Sequence, residues 1–297
     1  MKKNIIKRIY QYLIDIGINK HISDEKIIKR EYSKRCHKVL DLENPVTYNE
    51  KIQWLKLYDR KDIYTTMVDK FEAKKYVSNI IGNQYIIPTI GTYNSFKEID
   101  FTKLPNQFVI KCTHDSGGIM ICKDKAKFDV KKAKFKFNMI MKRNYYYRSR
   151  EWPYKNVTPR IIIEKYMEDN ELKELVDYKF FCFNGKVKLV LVCTNRNIDL
   201  EETWFDEKFN LLDLQEGNHK SRTDIKKPKT FEKMKKFAEI LSKNNPHLRV
   251  DFYNINNHIY FGELTLYPAG GFEKFTPSEW DEKLGKLIEL PSTKIKD

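Results

Sequence analysis

The sequence predicts an α+β protein, with helices in the first third and an antiparallel sheet, built from hairpins, carrying the chemistry further on. Three observations lead to this. Thr47 and Glu50 form a capping box in front of an amphipathic helix, Tyr178 to Cys193 is a pair of apolar runs hinged on Asn184-Gly185, and Arg249 to Leu266 is a second such pair bent near Asn256-Asn257. The length of 297 residues is about twice one typical domain, so two or three subdomains are expected.

The elements follow in order. Met1 to Ser23 places Ile5, Ile6, Ile9, Leu13 and Ile16 on one helical stripe, and Lys7, Arg8 and Asp15 interrupt any secretory core. This basic helix suits an anionic membrane surface, although packing on its own domain is the more common outcome for such a pattern. Ile52, Leu55 and Tyr58 continue the capped helix, and a second helix is expected over Thr66 to Val77. Tyr76 to Phe96 carries no charge but holds Asn79, Asn83, Gln84, Pro88 and Gly91, which reads as loop and strand rather than a bilayer span. Phe108 to Lys111 is a short buried strand, Lys125 to Tyr145 a helix with a solvated basic side, and Ile161 to Ile163 a central strand. Thr230 to Leu241 repeats Phe231, Met234, Phe237 and Leu241 at helical spacing.

A net charge of +15 points to an anionic partner, and 45 of the 56 basic residues are lysine. Base-reading proteins lean on arginine forks, so specific nucleic-acid recognition is disfavoured. The five cysteines are odd in number and form no Cys-x-x-Cys pair, which suggests neither a disulfide framework nor a zinc site and fits a reducing cytoplasm.

Phe108 to Gly118 is a strand ending in Lys111, followed by a turn with Thr113, His114, Ser116, Gly117 and Gly118. Backbone N–H groups of such a turn can close over phosphate oxygens while the lysine supplies a point charge. It is not a Walker loop, because no Gly-Lys-Ser/Thr follows, and by itself it could equally be a surface turn. Near the C-terminus, Arg249-x-Asp251 and Glu263-x-Thr265 put two carboxylates, an arginine and a hydroxyl on adjacent strands. Glu263 and Thr265 must share a sheet face, and Asp251 joins them only if a bulge or odd loop pairs it with Glu263. Oxygen ligands grouped this way suit Mg²⁺, and a structural salt bridge to Arg249 is the plain alternative. His114 can contact phosphate, act as a base, or be a turn residue bonded to backbone. Tyr145, Tyr146, Tyr147, Arg148, Arg150 and Trp152 form an aromatic-basic segment that reads as packing under a charged rim or as a sugar-stacking surface.

Taken in order, Asp69-Lys70, the Lys111 strand and loop, Glu164-Lys165-Tyr166-Met167, Asp177-Tyr178-Lys179, Arg249-x-Asp251 and Glu263-x-Thr265 resemble the ATP-grasp superfamily. Pro45-x-Thr47-Tyr48-Asn49-Glu50-Lys51 and Glu263-Leu264-Thr265-Leu266-Tyr267-Pro268-x-Gly270-Gly271 are similar to its TupA-like branch of bacterial polysaccharide gene clusters, over about Leu42 to Leu290. The resemblance implies antiparallel-sheet subdomains sandwiching a nucleotide. Residues 1–84 would be a helical region leading into the core, 85–163 a lid with the phosphate loop, and 164–297 a C-terminal subdomain with the metal site.

It further implies ATP and Mg²⁺ as cofactors. Lys70, Lys111, His114, Ser116, Gly117 and Gly118 would meet the phosphates, Glu164, Lys165, Tyr166 and Met167 the adenine, and Asp177 the ribose. Asp251 and Glu263 would hold Mg²⁺, with Thr265 standing where the superfamily commonly has asparagine. Arg249 would steady the transferred phosphoryl group, with Lys179 as a second catalytic cation. The implied activity is a cytoplasmic carboxylate–amine ligase joining an amino acid to a hexuronate of a capsule or O-antigen, free or lipid-linked, with peripheral membrane contact through the N-terminal helix. The competing readings are a glycosyltransferase, against which no Asp-x-Asp motif is present, and a protein binding RNA or an acidic polymer.

Overall fold

The computed structural model describes residues 2–171, 174–196 and 199–295. Along the chain come α1 (Lys2–Asp15), α2 (Asp24–Cys36), α3 (Tyr48–Tyr58), α4 (Ile63–Val68), α5 (Glu72–Ile81), β1 (Thr89–Tyr93), β2 (Phe108–Cys112), β3 (Ile119–Cys122), α6 (Val130–Ile140), α7 (Tyr146–Ser149) and β4 (Ile161–Lys165). They are followed by β5 (Asp177–Phe183), β6 (Lys186–Thr194), β7 (Glu201–Asp206), β8 (Gln215–Glu216), α8 (Phe231–Leu241), β9 (His247–Ile255), β10 (His258–Thr265), β11 (Phe275–Thr276) and α9 (Trp280–Leu287). The chain forms two units, each discontinuous in sequence: Met1–Ile27, Lys61–Ala73 and Ile87–Tyr166 make the first, and Ile28–Arg60, Lys74–Ile86 and Met167–Asp297 the second. Every strand pairing within the described sheets is antiparallel, so the α+β class holds.

The first unit is built on a four-stranded sheet in the order β1-β4-β2-β3. Alternation along β2 sends Phe108, Ile110 and Cys112 into a core with Ile161 and Ile163 of β4, and leaves Val109 and Lys111 on the opposite face. Helix α6 covers that core with Ala133, Phe137 and Ile140, spaced four and three apart, while its lysines at 131, 132 and 134 remain exposed. Asp129 caps the helix by accepting the Lys132 N–H at 2.8 Å.

Two expectations change here. The helix expected over Thr66 to Val77 is two helices, because the Asp69 carboxylate accepts the N–H of Phe71 at 2.9 Å and starts a new turn, while the Lys70 N–H is taken by the Thr113 carbonyl at 3.1 Å. Much of the N-terminal stripe faces outward: Ile6 is 66% exposed, Ile9 57% and Ile16 46%, while Leu13 is half-buried and the Ile5 side chain lies outside the described residues. Helix α1 is held instead through Asp15, which accepts from Arg148 at 2.7 and 3.2 Å, and through the Arg143 guanidinium over the Tyr12 ring. None of the described helices is long and apolar enough to cross a membrane.

The second unit centres on a five-stranded sheet in the order β10-β9-β5-β6-β7. On one face Phe180, Cys182, Val190, Val192, Val250 and Phe252 are buried, and α8 lies along β5, β6 and β9 with Phe231, Met234, Ala238 and Leu241 turned inward. Sealing this face leaves the other for polar chemistry. Both hairpins turn on residues with positive φ, Asn184-Gly185 at 50° and 77° and Asn256-Asn257 at 51° and 60°, the geometry a tight two-residue loop needs. Thr47 and Glu50 complete the capping box of α3, and α9 packs against that helix.

The α3–α9 contact is close because Gly285 has no side chain: a Cβ there would lie 2.1 Å from the Val46 carbonyl oxygen. In an unhindered helix, alanine would be favoured over glycine by up to ~1 kcal/mol, so Gly285→Ala separates propensity from crowding. The variant should unfold at a lower temperature, with a loss of roughly 1–3 kcal/mol; an unchanged or raised Tm would contradict the close approach.

Candidate active site

In the second unit, the register of β9 and β10 decides what can meet. Phe261 pairs with Phe252 as a strict two-residue turn demands, then Gly262 is bulged out and Glu263 pairs with Asp251. The bulge therefore supplies the pairing that the sequence alone left conditional. A Cβ at Gly262 would sit 3.0 Å from the Asp251 carbonyl oxygen, so the position favours the residue without one.

Because Lys179 pairs with Asp251 and Asp177 with Tyr253, the same sheet face carries Asp177, Lys179, Arg249, Asp251, Glu263 and Thr265. Opposite charges alternate across it. The Arg249 fork grips both oxygens of Asp251 at 2.8 Å each and reaches Glu263 at 2.7 Å. Lys179 bridges Asp251 at 2.8 Å and Asp177 at 2.9 Å, and Arg196 pairs with Asp177 from the end of β6. Thr265 donates to Glu263 at 3.4 Å.

Burial works against the charges of Arg249 and Lys179, but the adjoining carboxylates outweigh it and raise both above their ordinary values. Burial lifts the Asp251 carboxyl against the pull of Arg249 and Lys179. Asp177 Oδ1 is buried with no hydrogen-bond partner, and the Glu263 side chain is 44% exposed, so acceptor capacity remains on this face.

Among the described residues, no group of three or more His, Cys, Asp and Glu side chains could hold a metal by itself. Mg²⁺ takes one or two protein carboxylates and completes its shell with water and substrate phosphate. Asp251 and Glu263, cross-strand neighbours with a hydroxyl beside them, fit this demand.

In the first unit, Lys111 leaves β2 on the face away from the core, its Nζ 2.6 Å from Glu164 Oε2 on β4. The Lys70 side chain donates to the Asp115 carbonyl at 2.5 Å, which ties the α4–α5 break to the turn after β2. Ser116 and Gly117 are the exposed tip of that turn, and Gly117 has φ 85° with open space around it. His114 is 2% exposed and its Nε2 lies 3.2 Å from the Ile140 carbonyl, with burial lowering its pKa. Lys165 and Tyr166 line a cavity of about 520 Å³ with Pro88, Ile90 and Pro105. Met167 begins the next stretch of the second unit.

Sequence reasoning missed two groups. Arg196 lies in the turn after β6, where no periodicity marks it, yet it pairs with Asp177. Glu202, on β7 opposite Cys193, and Glu273 form an acidic cluster with Glu216, and burial, then the Glu216 carboxyl, raise both above their ordinary values. The aromatic-basic segment is largely packing: Tyr146, Arg150 and Trp152 are buried, and Arg150 donates to the Asn19 carbonyl at 2.7 Å.

Removing one cation from this lattice strands buried carboxylates. Lys179→Met should cost on the order of 3–5 kcal/mol in urea denaturation; a loss below about 1 kcal/mol would contradict the ionic account of this face.

Among solved structures, the chain is similar to the D-alanine–D-alanine ligase of Helicobacter pylori, with 13% identity and TM-score 0.42 over 82% of this chain and 69% of that one. It is likewise similar to the Bacillus anthracis D-alanine–D-alanine ligase complexed with ATP (14%, 0.40, 83% and 63%) and to N5-carboxyaminoimidazole ribonucleotide synthetase of Thermus thermophilus (10%, 0.42, 75% and 53%). The chain thus spans less than two thirds of the length of the last two. No curated protein matches it. Residues 50–289 match the family described as TupA-like ATPgrasp, and the chain belongs to that family.

Proposed function

We propose that the protein is an ATP- and Mg²⁺-dependent carboxylate–amine ligase that joins an amino acid to a hexuronate of a surface polysaccharide. ATP-grasp enzymes use ATP and Mg²⁺, and membership of that family favours a ligase over the glycosyltransferase and RNA-binding readings. The observation that carries the reading is the Arg249–Asp251–Glu263 arrangement, a guanidinium fork gripping two cross-strand carboxylates.

In this reading Asp251 and Glu263 hold Mg²⁺, with Thr265 as a further oxygen, and the ion when bound neutralises phosphate charge. Lys70 and Lys111 bind phosphate oxygens, and the Ser116-Gly117-Gly118 turn closes over them to exclude water. The cavity beside Lys165 and Tyr166 supports adenine contact there, and Asp177 is assigned to the ribose. A substrate carboxylate oxygen attacks the γ-phosphorus and ADP departs. The amine nitrogen then attacks the acyl carbon, phosphate leaves, and the nitrogen loses a proton. Arg249 and Lys179 offset charge during the first step, which positioning and electrostatics suffice to catalyse.

Asp251→Asn and Glu263→Gln should each abolish ADP release that depends on both an acid and an amine, with the fold kept as judged by circular dichroism. Full activity in both variants would remove the metal assignment. Lys111→Ala should weaken nucleotide binding by about 1–3 kcal/mol in calorimetry, and wild-type affinity would remove the lysine from the phosphate site.

Peripheral membrane contact is supported by the exposed Ile6 and Ile9 on a helix whose sequence also holds Lys2, Lys3, Lys7 and Arg8. The protein should sediment with phosphatidylglycerol vesicles, and not with phosphatidylcholine ones, in a salt-sensitive manner. Loss of this binding in Ile6→Asp/Ile9→Asp is expected, and equal binding by the variant would contradict it.

A further inference from the structure

Helix α6 carries four lysines in eleven residues and no acid, and none of the roles proposed so far uses them. Its inner face is settled, since Ala133, Phe137 and Ile140 are buried in the core of the first unit. Phe135 stands two residues from Ala133 and two from Phe137, on the far side of the helix, and is 73% exposed. Its helical neighbours, three and four residues away, are Lys131, Lys132, Asn138 and the half-buried Met139. A ring and a thioether thus lie within a basic rim.

The lysines of that rim are not spent on the protein's own acids. Lys131, Lys132 and Lys134 are exposed and make no ion pair with the described residues, while Lys136 donates to the Ile119 carbonyl at 2.7 Å. The acids nearby are engaged. Asp129 accepts the Lys132 N–H at 2.8 Å, and Asp124 accepts the Ala126 N–H at 3.1 Å and lies 3.5 Å from Lys127. Glu98, in the turn that packs against α6, accepts from Asn94 at 2.9 Å and Ser95 at 3.0 Å. Lys125 donates to the Leu104 carbonyl at 2.6 Å, Lys123 sits over the Tyr166 ring and Arg143 is 3.9 Å from Asp15. Counting all of these, Lys123 to Arg143 holds nine basic and two acidic residues, a net +7 out of the chain's +15.

This face calls for a partner that is negatively charged and also takes a ring out of water. An anionic bilayer does both: headgroups answer the lysines, whose stems lie along the surface, and Phe135 with Met139 enters the acyl boundary. A rim of lysine without arginine suits a layer of headgroups, which needs point charges rather than forked geometry. Helix α1 of the same unit has a similar make-up, with Ile6 and Ile9 exposed on a sequence that also holds Lys7 and Arg8. Its end is joined to the chain after α6, where the Asn144 N–H donates to the Asp15 carbonyl at 2.8 Å.

We propose that α6 is a membrane-binding element whose outer face lies on an anionic lipid surface with Phe135 inserted. The inference extends the peripheral contact proposed for α1 to a second helix, and it is tested by variants that leave α1 untouched. None of these α6 side chains enters the proposed chemistry, so the outcome leaves the ligase reading as it stands.

The test uses the full chain with vesicles of phosphatidylglycerol or of phosphatidylcholine at graded salt. Phe135→Ser, at an exposed position, should lower the partition onto phosphatidylglycerol about tenfold. Lys131→Gln/Lys134→Gln should weaken it at low salt and flatten its salt dependence. Phe135→Trp should keep the binding and show more fluorescence quenching by bromine-labelled lipid chains than the wild-type chain does. Unchanged partition in either of the first two variants, or no added quenching in the third, would overturn the proposal. So would a dimer, or binding to poly(U) or alginate, that Phe135→Ser weakens while vesicle binding stays the same. Binding lost in Ile6→Asp/Ile9→Asp but untouched by the α6 variants would keep α1 and overturn α6. Binding weakened by the α6 variants but untouched by the α1 variant would keep α6 and remove α1.

Discussion

The second unit depends on the fork of Arg249 closing on Asp251 and Glu263. Two buried or half-buried carboxylates on neighbouring strands repel each other and are costly to desolvate, and the guanidinium makes their approach tolerable. Its bidentate grip on Asp251 also fixes the rotamer of the acid, which a lysine could not do. Lys179 extends the same compensation one strand further, to Asp177, and Arg196 ends the row. The result is a sheet with an apolar face sealed by α8 and a face of alternating charge.

A single inserted glycine makes this possible. Without the bulge at Gly262, a two-residue Asn-Asn turn would set position 262 opposite Asp251 and move Glu263 to the wrong face. Local backbone irregularity thus sets the chemistry, while the regular parts of β5 and β9 carry the register inward. In the first unit a comparable irregularity acts on Lys70: the break between α4 and α5 hands its N–H to Thr113 and lets its side chain reach Asp115.

Much of this was legible in the sequence because it is local. The Thr47–Glu50 cap, the Asn184-Gly185 turn, the buried alternation of β2 and the period of α8 each follow from residues within a few positions of one another. The break at Asp69 was not, because the side chain of Asp69 competes with the helix only once Thr113, far along the chain, is there to accept the Lys70 N–H. The exposed isoleucines of α1 were misread for a similar reason. Amphipathicity marks a stripe, but the partner that holds α1 is Arg148, and it takes the polar side through Asp15. Arg196 and the Glu202–Glu216–Glu273 cluster left no sequence signal, since Arg196 and Glu273 lie in connections, and Glu202 and Glu216 on strands, whose placement depends on pairings far apart in the chain.

In the proposed ligase reaction a substrate carboxylate receives the γ-phosphoryl group. The direct measurement is to supply the acid with ¹⁸O in its carboxylate and follow the label through one turnover with ATP, Mg²⁺ and amine. The account predicts ADP and inorganic phosphate carrying one ¹⁸O from the acid. Unlabelled phosphate, or AMP as the nucleotide product, would contradict it.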